Sequence, residues 1–338
     1  LTTEHVPIRK PWPDTARAIA IILVVLGHAC TLVGVPEDGP IPGLVGWAQT
    51  LRLPLFFFVA GLFAAKWAER SWRDLANGKL RFLYWPLLIW SVPVFAYHLV
   101  GGLLAPRLYE DTTSTVLVRF VLSPVLPNAE LWFLWALMLC FATLRLARRI
   151  PTWLLLPAAA AAAVLLAPHV PSAPGNFMTY AIYFLLAARL RDPVFSMLDR
   201  LRTLPAIPLA AVLGVVYSLL VAVRWQSEVL YVLTCVAGIA FGLVLAVALS
   251  RLSFLRKIGQ STLQIYVAHS TIIACIGFAL VGVTWSPMLA SAAPLVITAA
   301  ALALTYALGR RFGETWVYVP PAWFRLGRKR RVTAYQSL

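Results

Sequence analysis

Long apolar runs recur along this chain, each separated from the next by a short polar gap. A run of about 20 apolar residues is the length that crosses a bilayer as a helix. Inside lipid every backbone N–H and C=O must find its partner within the protein, which leaves only helical bundles and closed barrels. We place ten spans, at roughly 16–36, 44–65, 82–101, 130–146, 152–168, 176–190, 205–223, 229–249, 261–282 and 291–309. No alternating strand pattern is present, so the predicted class is all-α, a polytopic transmembrane bundle of about ten spans. Segment 176–190 is short for a crossing. The alanine-rich run Ala158–Ala163 is weakly apolar and is expected to be covered by neighbouring helices.

Composition agrees. With 61% hydrophobic and 12% charged residues, an ordinary soluble domain is excluded. The formal charge of +16 raises the question of nucleic acid, but the basic residues form no single domain or stripe. They cluster in alternate gaps: Lys66, Arg70, Arg73, Lys79 and Arg81; then Arg145, Arg148 and Arg149; then Arg189 to Arg202, Arg251 to Lys257, and the tail from Arg310. The other gaps hold Arg107, Arg119 and Arg224 beside Glu37, Asp38, Glu110, Asp111 and Glu228. Positively charged loops stay inside, so both termini are expected to be cytoplasmic, and nucleic acid is not an expected partner.

The chain opens with Glu4, Arg9, Lys10, Pro11 and Pro13, without the features of a cleaved leader, so the first apolar run is expected to be a retained span. We divide the chain into a ten-span domain, 1–310, and a basic aromatic cytoplasmic tail, 311–338. Basic residues interleaved with Trp316, Tyr318, Trp323 and Phe324 suit either contact with anionic headgroups or fixing of topology. Cys30, Cys140, Cys235 and Cys275 fall in separate runs without metal-ligand spacing, so no metal is expected.

Ionisable groups within spans are costly and mark candidate functional sites. Arg17 and His28 are eleven residues apart, about 16 Å of rise and close to three full turns, which places them on nearly one helix face. Asp14 lies one turn before Arg17 and can pair with it. Arg52 lies about eight residues into span two and either snorkels outward or faces the interior. Pro54 frees a backbone carbonyl nearby, and Gly27 and Gly61 permit close approach. In span nine, Tyr266 and His269 are one turn apart, and Ser261 with Gln264 has the spacing of a capping box. Interhelical hydrogen bonding and chemistry are both open for that pair. Glu130, at the outer end of span four, is placed either to touch the outer aqueous phase or to bind an acceptor hydroxyl. Lys79 and Arg81, before Pro86, either grip phosphates or simply fix topology.

In their order these segments resemble the membrane-bound acyltransferase-3 family, bacterial integral membrane proteins that O-acylate envelope glycans and related acceptors. The resemblance rests on Arg17 followed by ten residues and His28, on Pro54-Leu-Phe-Phe-Phe-Val-Ala-Gly61, and on Lys79/Arg81 leading into Pro86. It also rests on Leu131-Trp-Phe-Leu134 and Gly259-Gln-Ser-Thr-Leu-Gln-Ile-Tyr-Val-Ala-His269. It implies acyl-coenzyme A as donor, most often acetyl-coenzyme A, with Lys79, Arg81 and Arg17 at its phosphates. It also implies a glycan or lipid-linked sugar acceptor, membrane lipid around the protein, and a multi-pass location in the bacterial cytoplasmic membrane. His28 is then the general base, with Arg17, Arg52, Tyr266, His269 and Glu130 as further catalytic candidates. A covalent acyl-histidine and direct transfer are both compatible with these residues. Ala60 replaces the serine usual before Gly61, and Glu130 stands where histidine or another polar residue is common. Some members carry a fused extracytoplasmic hydrolase-like domain; here onward transfer would need a separate partner. The rival reading is a glycan or lipid transporter using the same polar groups as a passage, although no inverted repeat of broken spans is evident.

Overall fold

The computed structural model describes residues 10–127 and 129–326. Glu4, Arg9 and the basic cluster Arg328, Lys329, Arg330 and Arg331 therefore lie outside the described residues. The chain is an all-helical, multi-pass membrane bundle, with no strand among the described residues.

Its helices run α1 (Trp12–Thr31), α2 (Pro40–Trp47), α3 (Gln49–Leu62), α4 (Ala65–Glu69), α5 (Trp72–Leu75) and α6 (Arg81–Leu104). There follow α7 (Thr113–Leu122), α8 (Trp132–Leu146), α9 (Thr152–Ala161), α10 (Ser172–Arg189) and α11 (Arg191–Arg200). The last are α12 (Thr203–Val223), α13 (Glu228–Ala248), α14 (Ser253–Gln260), α15 (Thr262–Ala279) and α16 (Pro287–Phe312). Eight helices among the described residues are long and apolar enough to cross a membrane, and α2 with α3 forms a ninth, bent by 44°. Helix α10 has 18 residues, but Ser172, Asn176 and Thr179 dilute its apolar character below that of the others. It compensates by burial, with Tyr183 and Phe184 fully enclosed. By length and apolarity the described residues thus offer eight or nine crossings where ten were predicted, and α10 occupies the place of the short sixth span.

Helix α1 is the hub, packing against α3, α13, α14, α15 and α16. Close approach is built on glycines. A Cβ on Gly259 would stand 1.8 Å from the Asp14 carbonyl oxygen, and one on Gly61 would stand 2.2 Å from that of Phe184. Only backbone without side chains fits at those crossings.

The bend at Ala48 exposes carbonyls that lipid cannot solvate, and α12 and its exit turn supply the missing donors. Tyr217 donates its hydroxyl to the Trp47 carbonyl at 2.6 Å, and Arg224 donates to Gly46 at 3.2 Å. Pro54 has no N–H for the Thr50 carbonyl, and Gly238 of α13 brings its backbone against that same oxygen.

The part of the tail that is described does not leave the bundle. Trp85 and Trp90 donate their indole N–H groups to the carbonyls of Trp316 and Val317, and Tyr318 is only 2% exposed. Asn77 exchanges two hydrogen bonds with Leu326, at 2.9 and 2.8 Å. The tail is thus a strap along the start of α6, while Trp316 and Trp323 keep exposed faces.

Candidate active site

Helix α1 carries its polar residues into the protein. Asp14 and Arg17 are 3% and 5% exposed, and the guanidinium lies 3.4 Å from the carboxylate. Gln260 of α14 donates to the other Asp14 oxygen at 3.2 Å, an arrangement that the glycine at 259 makes possible. The Arg17 guanidinium also sits 5.0 Å from the centre of the Phe63 ring. The predicted Asp14–Arg17 pair therefore forms, and it is buried.

Lys79 reaches the same region. It belongs to a π-helical turn, Ala76–Leu80, and is 6% exposed. Such turns offset the side chains that follow and often mark functional positions. Its ammonium lies 5.5 Å from the Trp67 ring and 5.6 Å from that of Phe141. Gly78 lets Trp67 lie flush against the turn. Arg17 and Lys79 together line a cavity whose remaining wall is mostly aromatic and aliphatic, including Phe63, Phe141 and Tyr266. Arg81 takes another direction: it donates to the Phe324 carbonyl of the strap and stacks at 5.4 Å on that ring. Of the two basic residues before Pro86, the structure brings only Lys79 to the cavity.

The rings of His28 and His269 meet in the interior, with centroids 5.0 Å apart, and Tyr266 stands 5.9 Å from His269. His28 of α1 and His269 of α15 thus stand side by side although they are 241 residues apart in the chain. The His269 Nδ1 faces the carbonyls of Tyr266 and Ile265 at 2.6 and 3.1 Å. An uncharged ring so placed carries its proton on Nδ1, which leaves a lone pair on the buried Nε2, an atom with no partner among the described residues. Neither histidine lines the cavity; Tyr266 stands between.

Arg52 faces inward. Its guanidinium approaches the Leu23 carbonyl at 3.5 Å, and a Cβ on Gly27 would stand 2.3 Å from Nη1. Gly27 thus keeps open the space that brings this cation beside His28. Tyr180 and Tyr231 are close enough to interact with it electrostatically. Snorkelling, the alternative for Arg52, is not what the structure shows.

Of the two readings of Glu130, contact with the outer aqueous phase is not what the structure shows. The residue is 6% exposed, in a 3₁₀ turn, Ala129–Leu131, entered through Ala129 at φ 49°. That left-handed residue swings the carboxylate inward, away from the outer water. Ser270 donates to one oxygen and Tyr97 to the other at 3.3 Å, while Tyr266 donates to the Glu130 backbone carbonyl. A buried carboxylate needs such donors. The capping box is absent: Ser261 makes no side-chain cap, and Gln264 instead packs on Gly309 of α16.

A family model described as an acyltransferase domain matches residues 10–310. The chain belongs to the acyltransferase-3 family. No curated protein and no solved structure matches it. Acyl transfer is accordingly the general chemistry of the domain. Within the family motif at α3, Ala60 lines the cavity but brings no hydroxyl to it, and Gly61 is spent on the crossing with α10.

Several residues of the site carried little sequence signal. Ser270 follows His269 and lies one turn from Tyr266, so helical spacing alone could have found it. Tyr97 is one aromatic residue among many in α6 and became distinguishable only through Glu130.

Proposed function

We propose that the protein transfers an acyl group, most simply acetyl, from acyl-coenzyme A to a hydroxyl of a cell-envelope glycan or lipid-linked sugar, within the bacterial cytoplasmic membrane. The observation that carries this reading is the sequence of contacts from the Arg17–Lys79 cavity through Tyr266 to the His269–His28 pair. With both termini cytoplasmic, the cavity opens on the side where acyl-coenzyme A is made. Arg17 and Lys79 are the cations for its phosphates, and the aromatic wall suits the slender thioester arm. The rise of about 16 Å from Arg17 to His28 is a length that such an arm spans.

His28 takes the proton of the acceptor hydroxyl as its oxygen attacks the thioester carbonyl. The carbon–sulfur bond then breaks, and the imidazolium returns the proton to the departing thiolate. The charge that grows on the carbonyl oxygen needs a donor. Neutral His269 presents a lone pair at Nε2, and the Tyr266 hydroxyl is committed to the Glu130 carbonyl. Arg52, beside His28, is the group best suited to that task. His269 instead accepts a proton or orients its neighbour, with Glu130 and Ser270 supporting α15. Because Arg81 is held by the strap, donor binding on this reading rests on Lys79 and Arg17.

The test is a membrane-vesicle assay with radiolabelled acetyl-coenzyme A, comparing the natural protein with His28→Ala at matched abundance. Label transfer falling by about 100-fold or more is expected when a general base is removed. Unchanged transfer removes His28 from the reaction. Movement of a glycan without loss of acyl groups from the donor replaces the reading with transport.

A further inference from the structure

Lys79 enters its cavity from an unusual piece of helix. In the π-helical turn Ala76–Leu80 the Arg81 N–H donates to the Ala76 carbonyl, five residues back, in place of the Asn77 carbonyl that an α-helix would use. Such a turn carries one residue more than the α-helix it interrupts. Closing it up rotates the residues that lead into α6 by about 100°, one residue's worth. Its sequence, Ala-Asn-Gly-Lys-Leu, contains two poor helix formers, so the contacts that hold it come from elsewhere in the chain.

The strap supplies them on one side. Asn77 donates to the Leu326 carbonyl at 2.9 Å and accepts from the Leu326 N–H at 2.8 Å, across 249 residues of chain. Arg73, one turn earlier, donates to the same carbonyl at 3.4 Å. Arg81, just past the turn, donates to the Phe324 carbonyl and lies 5.4 Å from that ring, which packs in turn on Trp85 at 4.9 Å. Residues 324–326 therefore grip the segment two positions before Lys79 and two positions after it.

Trp67 closes the other side. An added Cβ on Gly78 would stand 2.3 Å from its ring, so the turn and the indole meet without a side chain between them. Lys79 then lies between Trp67 and Phe141 and lines the cavity with Arg17. Lys66 reaches the same indole, at 5.9 Å, yet is exposed. Contact with Trp67 is thus not enough to bury a lysine here; the turn that presents it decides.

We infer that Asn77 and Arg81 are positioning residues: held by strap residues 324–326, they keep the π-turn in place and so hold Lys79 in the cavity, where it meets the phosphates of the donor. Arg81 acts through Lys79 and not on the phosphates themselves. The clause about the donor rests on the proposed acyl-transfer reaction; the hold on Lys79 does not.

The test has two readouts on the full chain. The first is labelling by a water-soluble amine reagent in detergent, located by mass spectrometry. In the natural protein Lys66 should react and Lys79 should stay protected. Asn77→Ala changes no charge; it should raise labelling of Lys79 by about threefold or more, the shift that a lost hydrogen bond permits, with Lys66 unchanged. The second is kinetics in vesicles. Asn77→Ala should raise KM for acetyl-coenzyme A about tenfold with kcat unchanged, as loss of a charge-assisted binding contact does. KM for acetyl-pantetheine, which lacks the phosphates, should not move. In a Lys79→Met background the same substitution should add nothing, because both changes act on one contact. Should Asn77→Ala not fold, Phe324→Ala, which strips the ring from Arg81, takes its place. Lys79 still protected in the folded variant, an unchanged KM, a rise shared by both donors, or one additive with Lys79→Met overturns the inference. Lys79 newly labelled in the variant, while the natural protein transfers no acetyl group in vesicles, refutes the reaction and leaves the hold on Lys79 standing.

Discussion

The first span, Trp12–Thr31, and the fifth, Thr152–His169, have equal mean hydropathy and nearly equal length, 20 and 18 residues. Yet 72% of the first is buried within the protein against 17% of the fifth. Average apolarity states only that both can cross a membrane. Where each helix lies is decided by the few positions that lipid cannot accommodate: Asp14, Arg17 and His28 require protein around them, whereas the fifth span before His169 offers alanine and leucine, for which lipid serves as well.

Substitutions on the two spans should separate them sharply. The largest effect is expected from His28→Ala, a loss of acyl transfer of about 10²–10⁴-fold in vesicles with folded yield retained. The matching change Leu165→Ala, at a side chain 63% exposed, should leave the rate within error. Next is Gly259→Val, which forces a side chain into the Asp14 backbone. We expect about 1–3 kcal/mol of destabilisation or more, read as a lower midpoint of thermal unfolding in detergent. Gly43, whose added Cβ would meet nothing within 4 Å, should accept alanine without that fall.

Gly27→Ala tests the hub at a subtler level. The atom it meets is the mobile end of Arg52, so the fold should persist while the guanidinium moves off His28. We expect kcat to fall about tenfold, equivalent to about 1.4 kcal/mol of barrier, with donor KM little changed. Tyr97→Phe removes one donor to Glu130 and should cost about 1 kcal/mol of stability, checked by the same unfolding midpoint. The smallest effect is expected of Leu165→Ala on stability, within about 0.5 kcal/mol. A large loss there would mean that the fifth span is covered by a partner, and would end the contrast.

The strap shows where sequence reading stops. Interleaved basic and aromatic residues in the tail suit a membrane surface, and exposed Trp316 and Trp323 remain compatible with one. The folding of 313–326 onto α6 was not legible, because indole-to-carbonyl hydrogen bonds between segments more than 200 residues apart leave no local pattern. The inward turn of Glu130 was hidden for a related reason: one left-handed alanine sets it, and alanine carries no signal for that conformation.

By itself the sequence determined that this chain is a helical membrane bundle, that Asp14, Arg17 and His28 share a face, and which family it belongs to. The first two follow from run length and period, which are local; the family follows from the order of its short motifs along the chain. Only the tertiary structure decided that His269 meets His28, that Arg52 turns inward beside it, and that Lys79 and not Arg81 lines the cavity. Each of these depends on which helix fills the space left by a glycine, a bend or a turn elsewhere in the chain, and close packing fixes that choice only when all the helices are in place.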